Sequence, residues 1–137
     1  MKRLRVVWAF LLAGCASAPL SPLQKHAALS ADKGRAFDAA LLTLQEWGED
    51  ILTVDKAGGI LATRPRESAV HGDIALRYRF TVFVKDGEGG RTLVEVNAHG
   101  EKHNSEQDDW WSVDENDPDL RSMIEGLLAG IVEKAGG

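Results

Sequence analysis

The chain has 137 residues, 44% of them hydrophobic and 27% charged, which suits one domain around one core. Its formal net charge of −5 excludes the basic face of a nucleic-acid binder and disfavours electrostatic adhesion to anionic lipid. A single cysteine excludes an intrachain disulfide.

Residues 1–5, MKRLR, are positively charged, and residues 6–13, VVWAFLLA, are apolar. This is the order of a secretory signal. The apolar run falls far short of the roughly 20 residues that a membrane span requires. Leu12-Ala13-Gly14-Cys15 follows, and this stretch resembles the lipobox of bacterial lipoproteins. The resemblance implies that the Cys15 thiol receives a diacylglycerol, that the chain is cut just before it, and that the new amine is acylated. Residues 1–14 are then the signal peptide and Cys15 the first mature residue. An unmodified cysteine beside an ordinary cleavage site is the competing reading. Without Lys2, Arg3 and Arg5, thirteen basic residues face twenty-one acidic ones, a mature charge near −8. Lipid then dominates attachment: each buried methylene contributes roughly 0.8 kcal/mol, and two or three chains hold where one is marginal. In lipoproteins of two-membrane bacteria an aspartate after the cysteine favours inner-membrane retention. Ala16 stands there, so the resemblance implies the outer membrane, with the protein facing the periplasm.

Residues 15–29 read as a lipidated N-terminus and flexible tether. Ser17, Pro19, Ser21 and Pro22 suit an extended chain, which spans about 45 Å at roughly 3.3 Å per residue. Residues 30–137 read as a single α+β domain. Phe37, Ala40, Leu41, Leu44 and Trp47 recur at helical spacing within 30–50, with Ser30 or Asp32 as cap and Gly48 as stop. Residues 50–64 predict two short strands around a turn at Lys56–Gly59. A loop opened by Pro65 follows. Residues 74–86 alternate strictly, with Ile74, Leu76, Tyr78, Phe80, Val82 and Val84 on the core side. The GEGG turn returns the chain as a strand over 91–101, with an expected register of Lys85 opposite Arg91 and Phe83 facing Leu93. A polar, acidic loop follows. Asp117 and Pro118 then open a helix whose stripe runs from Leu120 through Met123, Ile124, Leu127 and Leu128 to Ile131. Gly126 and Gly130 within it predict close packing. The order α-β-β-β-β-α predicts a two-layer domain, a four-stranded antiparallel sheet covered on one face by two helices. With LQEWGEDI, DKAGGILATR and the paired strands in that order, the chain is similar to the small domains of BamC-like lipoproteins. That similarity implies a helix laid on a curved antiparallel sheet and a link to outer-membrane assembly.

No nucleophile stands in a Gly-x-Ser-x-Gly turn, so no catalytic residue is assigned and the chain reads as non-enzymatic, with no cofactor implied. His71, His99 and His103 lack the spacing of a metal site and read as surface residues. Residues 101–119 hold eight acids and one lysine. DENDPD (114–119) is oxygen-rich enough for calcium, but a solvated loop or a dock for a basic partner also fits it. Trp110 and Trp111 within this loop are candidate partner anchors, though at least one is expected to fold back over the sheet edge or a helix. Arg77, Arg79, Phe83 and Leu93 on the polar sheet face complete the candidate partner-binding set. Arg64 and Arg66 extend it if their loop allows. The leading expectation is a non-catalytic outer-membrane lipoprotein that contacts other envelope proteins as an interaction or assembly accessory. The alternative is a periplasmic binding module for a small molecule, metal ion or cell-wall glycan.

Overall fold

The computed structural model describes residues 21–136. Cys15 and the expected signal peptide lie outside the described residues. The elements in chain order are β1 (His26–Leu29), α1 (Lys33–Glu46), β2 (Ile51–Asp55), β3 (Ile60–Thr63), β4 (Arg66–His71), β5 (Ile74–Asp86), β6 (Thr92–Asn104), β7 (Trp110–Val113) and α2 (Pro118–Ala135).

Both helices begin and end where their side chains dictate. Asp32 caps α1 by accepting from the Arg35 N–H at 2.8 Å. At its end the Gly48 N–H donates to the Gln45 carbonyl and the Glu49 N–H to the Leu44 carbonyl, a Schellman closure. Gly48 adopts φ +76° there, and Glu49 is delivered to the interior, 7% exposed. Asp117 caps α2 through the Asp119 and Leu120 N–H groups, with Pro118 in the first turn. The two helices pack closely at the glycines of α2. A Cβ at Gly130 would stand 2.9 Å from the Thr43 methyl, and one at Gly126 3.4 Å from the Trp47 ring. The small pair is therefore filled from within the chain.

The sheet is antiparallel throughout and α+β in class, as expected, but it has seven strands rather than four. Its path runs β1-β6-β5-β3-β2, with β4 also on β5 and β7 also on β6. The extra strands follow from length. β5 and β6 run thirteen residues each, whereas β3 has four. Backbone groups left along the long hairpin need partners, and the short strands β1, β4 and β7 supply them. β4 and β7 were hidden because their side chains barely alternate, and β1 because it lies in the stretch read as tether. All but one residue of β4 is exposed, and β7 begins in the acidic loop. Residues 26–29, expected within the tether, form β1 against β6. The Lys25 carbonyl accepts from the Val96 N–H, Leu23 packs on the core, and Arg121 donates to the Ser21 carbonyl.

The β5–β6 register differs from the expected one by two residues. Lys85 lies opposite Leu93, Val82 opposite Val96, and Phe83 opposite Glu95 rather than Leu93. The hairpin closes at Asp86–Thr92, because the turn runs through a 3-10 segment, Glu88–Gly90. A shift of two preserves every facing, so the buried set stands as expected. Leu76, Tyr78, Phe80, Val82, Val84, Val94 and Val96 meet both helices in one core.

Candidate functional site: the open face of the sheet

The helices cover the even-numbered residues of β5 and β6, and the odd-numbered residues form the opposite face. That face is a cross-strand ladder: Arg77–Glu101, Arg79–His99, Thr81–Asn97, Phe83–Glu95 and Lys85–Leu93. Ala28 extends it beside Leu93, and Ile60 beside Phe83. Opposite charges meet across the strands, as such pairs favour.

At one end Trp110 folds onto the face from β7. Its ring stacks on His103 with centroids 4.8 Å apart, and the Arg77 guanidinium lies 4.1 Å from its centroid. Arg77 also donates to Glu101, whose second oxygen lies 3.6 Å from His99. The Arg77 hydrogen bond holds the Glu101 carboxyl below the usual carboxylate range. Toward the other end Glu95 accepts from Lys85 and pairs with His26, each at 3.0 Å. Lys85 is the main cause of the lowered Glu95 pKa. The Lys85 ammonium also lies 5.1 Å from the Phe83 centroid.

Arg79 stands between these two neutralised ends. It is exposed, and among the described residues no carboxylate pairs with it. The cause is a break in the neighbouring edge. β3 ends at Thr63 and β4 starts at Arg66, so Pro65 interrupts the pairing opposite Arg79. The Phe80 N–H, left without a strand partner there, is satisfied by the Thr63 hydroxyl at 2.9 Å. A shallow depression of about 210 Å³ results, lined by Pro65, Arg77, Tyr78, Arg79, His99 and Glu101.

Five of the six candidate partner-binding residues thus share one face: Arg77, Arg79, Phe83, Leu93 and Trp110. Trp111 does not. It lies opposite Lys102 on the helix side of the sheet, 41% exposed. Arg64 pairs with Asp50, and Arg66 reaches the Trp47 carbonyl, so both are engaged away from the ladder. The three histidines are dispersed: His71 meets Asp119, His99 meets Glu101 and His103 meets Trp110. Among the described residues no group of three or more His, Cys, Asp or Glu side chains could hold a metal ion.

Part of the acidic loop is engaged by the domain itself, whereas Glu106 and Asp109 make no ion pair among the described residues. Lys102 bridges Asp117 at 2.9 Å and Asp119 at 2.7 Å. Glu115 takes Lys25 on one oxygen and the Ala98 N–H on the other. Asp114 accepts from the Asn116 N–H. The basic partners of Glu115, Asp117 and Asp119 are therefore intramolecular. The Lys102 hydrogen bond is the main cause of the depressed Asp119 pKa.

One polar site escaped sequence reasoning. The Tyr78 hydroxyl donates to Glu49 Oε1 at 2.9 Å beneath the helices, with Arg66 3.6 Å from the same oxygen. Burial, then the hydrogen bond to Glu49, pushes the Tyr78 hydroxyl up to about 12. Nothing in the alternation distinguishes Tyr78 from an ordinary core residue. A Glu directly after a helix-stopping glycine was the available signal.

The chain matches no protein-family model and no curated protein. Its likenesses to lipoprotein signals and to BamC-like domains therefore rest on the residues that carry them. No helix among the described residues is long and apolar enough to cross a membrane.

Proposed function

We propose that the chain is a non-catalytic lipoprotein of the outer membrane that docks another envelope protein on the open face of its sheet. Cys15 carries the lipid in this reading, and the domain faces the periplasm. The observation that supports the docking face most strongly is Arg79, an exposed cation on that face that no carboxylate among the described residues pairs. Arginine and tryptophan are the residue types that dominate binding energy at protein interfaces, and Arg79 stands two residues from the Arg77–Trp110 stack. A carboxylate on the partner would complete the ladder by pairing with Arg79.

The bound N-terminal segment changes the geometry of the anchor. With residues 21–29 held against the domain, six residue steps separate Cys15 from Ser21, at most about 20 Å at roughly 3.3 Å per residue, so in this reading the domain works close to the bilayer.

Two measurements test this reading. Mass spectrometry of the mature N-terminal peptide is expected to find acylated Cys15 as the first residue; a bare Cys15 or another N-terminus would overturn the placement. Affinity capture from crosslinked membranes is expected to lose its main protein partner with Arg79→Glu. An unchanged partner set would remove the open face from the account.

A further inference from the structure

Besides the engaged Arg77, two basic side chains meet at the Pro65 break, and only one of them is always charged. His99 lies directly opposite Arg79 in the β5–β6 register; both line the depression and both are exposed. Histidine is the side chain whose charge changes between about pH 5 and 8, whereas arginine keeps its charge throughout. The charged groups around His99 come from several elements. On β5, Arg79 faces it and Arg77 lies on the diagonal. On β6, Glu101 stands 3.6 Å from its ring and accepts from Arg77. On β4, Glu67 is opposite Arg77. On β7, Ser112 is opposite Glu101 and brings no charge. From the sheet edge, Glu115 accepts from the Ala98 N–H, and its other oxygen pairs with Lys25. Arg77 and Arg79 therefore balance Glu67 and Glu101 while His99 is neutral, and protonation of His99 leaves the depression net positive. Glu101 takes no part in this change, because Arg77 holds its carboxyl below the usual carboxylate range.

Resting on the reading of the open face as a docking surface, we propose that the depression binds a carboxylate of an acidic protein segment between Arg79 and His99, and that protonation of His99 tightens this binding as the pH falls. Directly opposed antiparallel residues have Cα atoms about 4.5–5.5 Å apart, close enough for one carboxylate to meet both heads. At pH 8 Arg79 alone holds the carboxylate. At pH 5.5 the imidazolium adds a second charged donor, so binding takes up a proton. A unit charge about 6 Å away changes affinity by a factor of about three in water, and salt screening lowers this. A protein segment fits better than a small free anion. The half-buried Phe83 and Leu93 continue the same face beyond Thr81 and offer apolar contact to a chain. The other histidines do not lie opposite Arg79: His26 pairs with Glu95, His103 stacks on Trp110 and His71 meets Asp119.

Binding of an acetylated and amidated tetraglutamate peptide to the full chain tests this without a partner or a lipid. Physiological salt is used, because it screens charges more than about 8 Å away. The peptide carboxylates stay ionised at both pH values. NMR titration is expected to show binding at least about twofold tighter at pH 5.5 than at pH 8. His99→Gln is expected to remove most of that difference, and Arg79→Gln to weaken binding at both pH values. His71→Gln, beside Asp119, should change neither. All three positions are exposed, so the fold tolerates these variants. No binding at pH 5.5, equal affinity at the two pH values, or a difference undiminished by His99→Gln would overturn the proposal. So would inorganic phosphate binding more tightly than the peptide. A chain that passes the peptide test but captures no envelope protein would instead sink the docking reading and leave the carboxylate site standing.

Discussion

Gly59→Ala is expected to destabilise the domain by about 3 kcal/mol or more, through two separable effects. Gly59 ends the turn between β2 and β3 at φ +69°, a left-handed conformation that costs a side-chain-bearing residue about 1–2 kcal/mol. It also lies against backbone. Its carbonyl accepts from the Val84 N–H at 2.8 Å, and a Cβ would stand 2.1 Å from the Val84 carbonyl oxygen. No rotamer change relieves a contact with a carbonyl, so β3 must shift from β5, adding about 1–3 kcal/mol. Gly89→Ala separates the effects. Gly89 has φ +65° but no atom within 4 Å of its Cβ position, so only the conformational cost of about 1–2 kcal/mol applies. Thermal unfolding of both variants checks this, at roughly 4 °C per kcal/mol for a domain of this size. Equal losses would mean that the close approach to Val84 carries no energy.

The second large effect lies at Tyr78, the only tyrosine in the chain. Tyr78→Phe is expected to cost about 1.5–3 kcal/mol near neutral pH, the range for a hydrogen bond to a charged group. Glu49 is buried, and its Oε2 accepts no hydrogen bond among the described residues, so losing the hydroxyl leaves Arg66 as its remaining polar contact. Burial of the hydroxyl, and then the same bond, sets a pH dependence. A tyrosine is neutral when protonated, and the folded pKa is raised from 10.0 to about 12. Between these values the folded chain holds a proton that the unfolded chain has released. Stability from Tyr78 is thus fully present below pH 10 and is lost as pH rises toward 12. Because no other tyrosine contributes, tyrosinate absorbance reports the group directly. Its midpoint is expected near 12 in the folded chain and near 10 in denaturant. A folded midpoint near 10 would place the hydroxyl in solvent and contradict the buried pair.

Elements with strong periodicity were legible before any coordinates. The α1 stripe, the Asp117–Pro118 helix start and the alternation of residues 74–86 each appear where expected, because burial on one face leaves a periodic trace. The glycines 126 and 130 were legible as a close-packing pair, and the helix partners at Thr43 and Trp47 give the reason. Short edge strands leave no such trace. β4 is exposed along nearly its whole length, so its pairing is decided by what β5 leaves unpaired. The register slipped by two because alternation fixes the face of a residue but not the length of the turn. The open-face residues were foreseen as a set. The break at Pro65 that leaves Arg79 alone was not, because it depends on where two neighbouring strands stop. Trp110 and Trp111 are adjacent in sequence yet land on opposite sides of β7, one stacked on His103 and the other exposed.

Site-specific photocrosslinking in the producing cells tests the central claim most directly. A photoreactive residue at His99, exposed beside Arg79, is compared with one at Ser122, exposed on α2. The account predicts a discrete protein adduct from position 99 that Arg79→Glu abolishes, and none of that mass from position 122. Adducts of equal yield from both positions, or none from position 99, would contradict it.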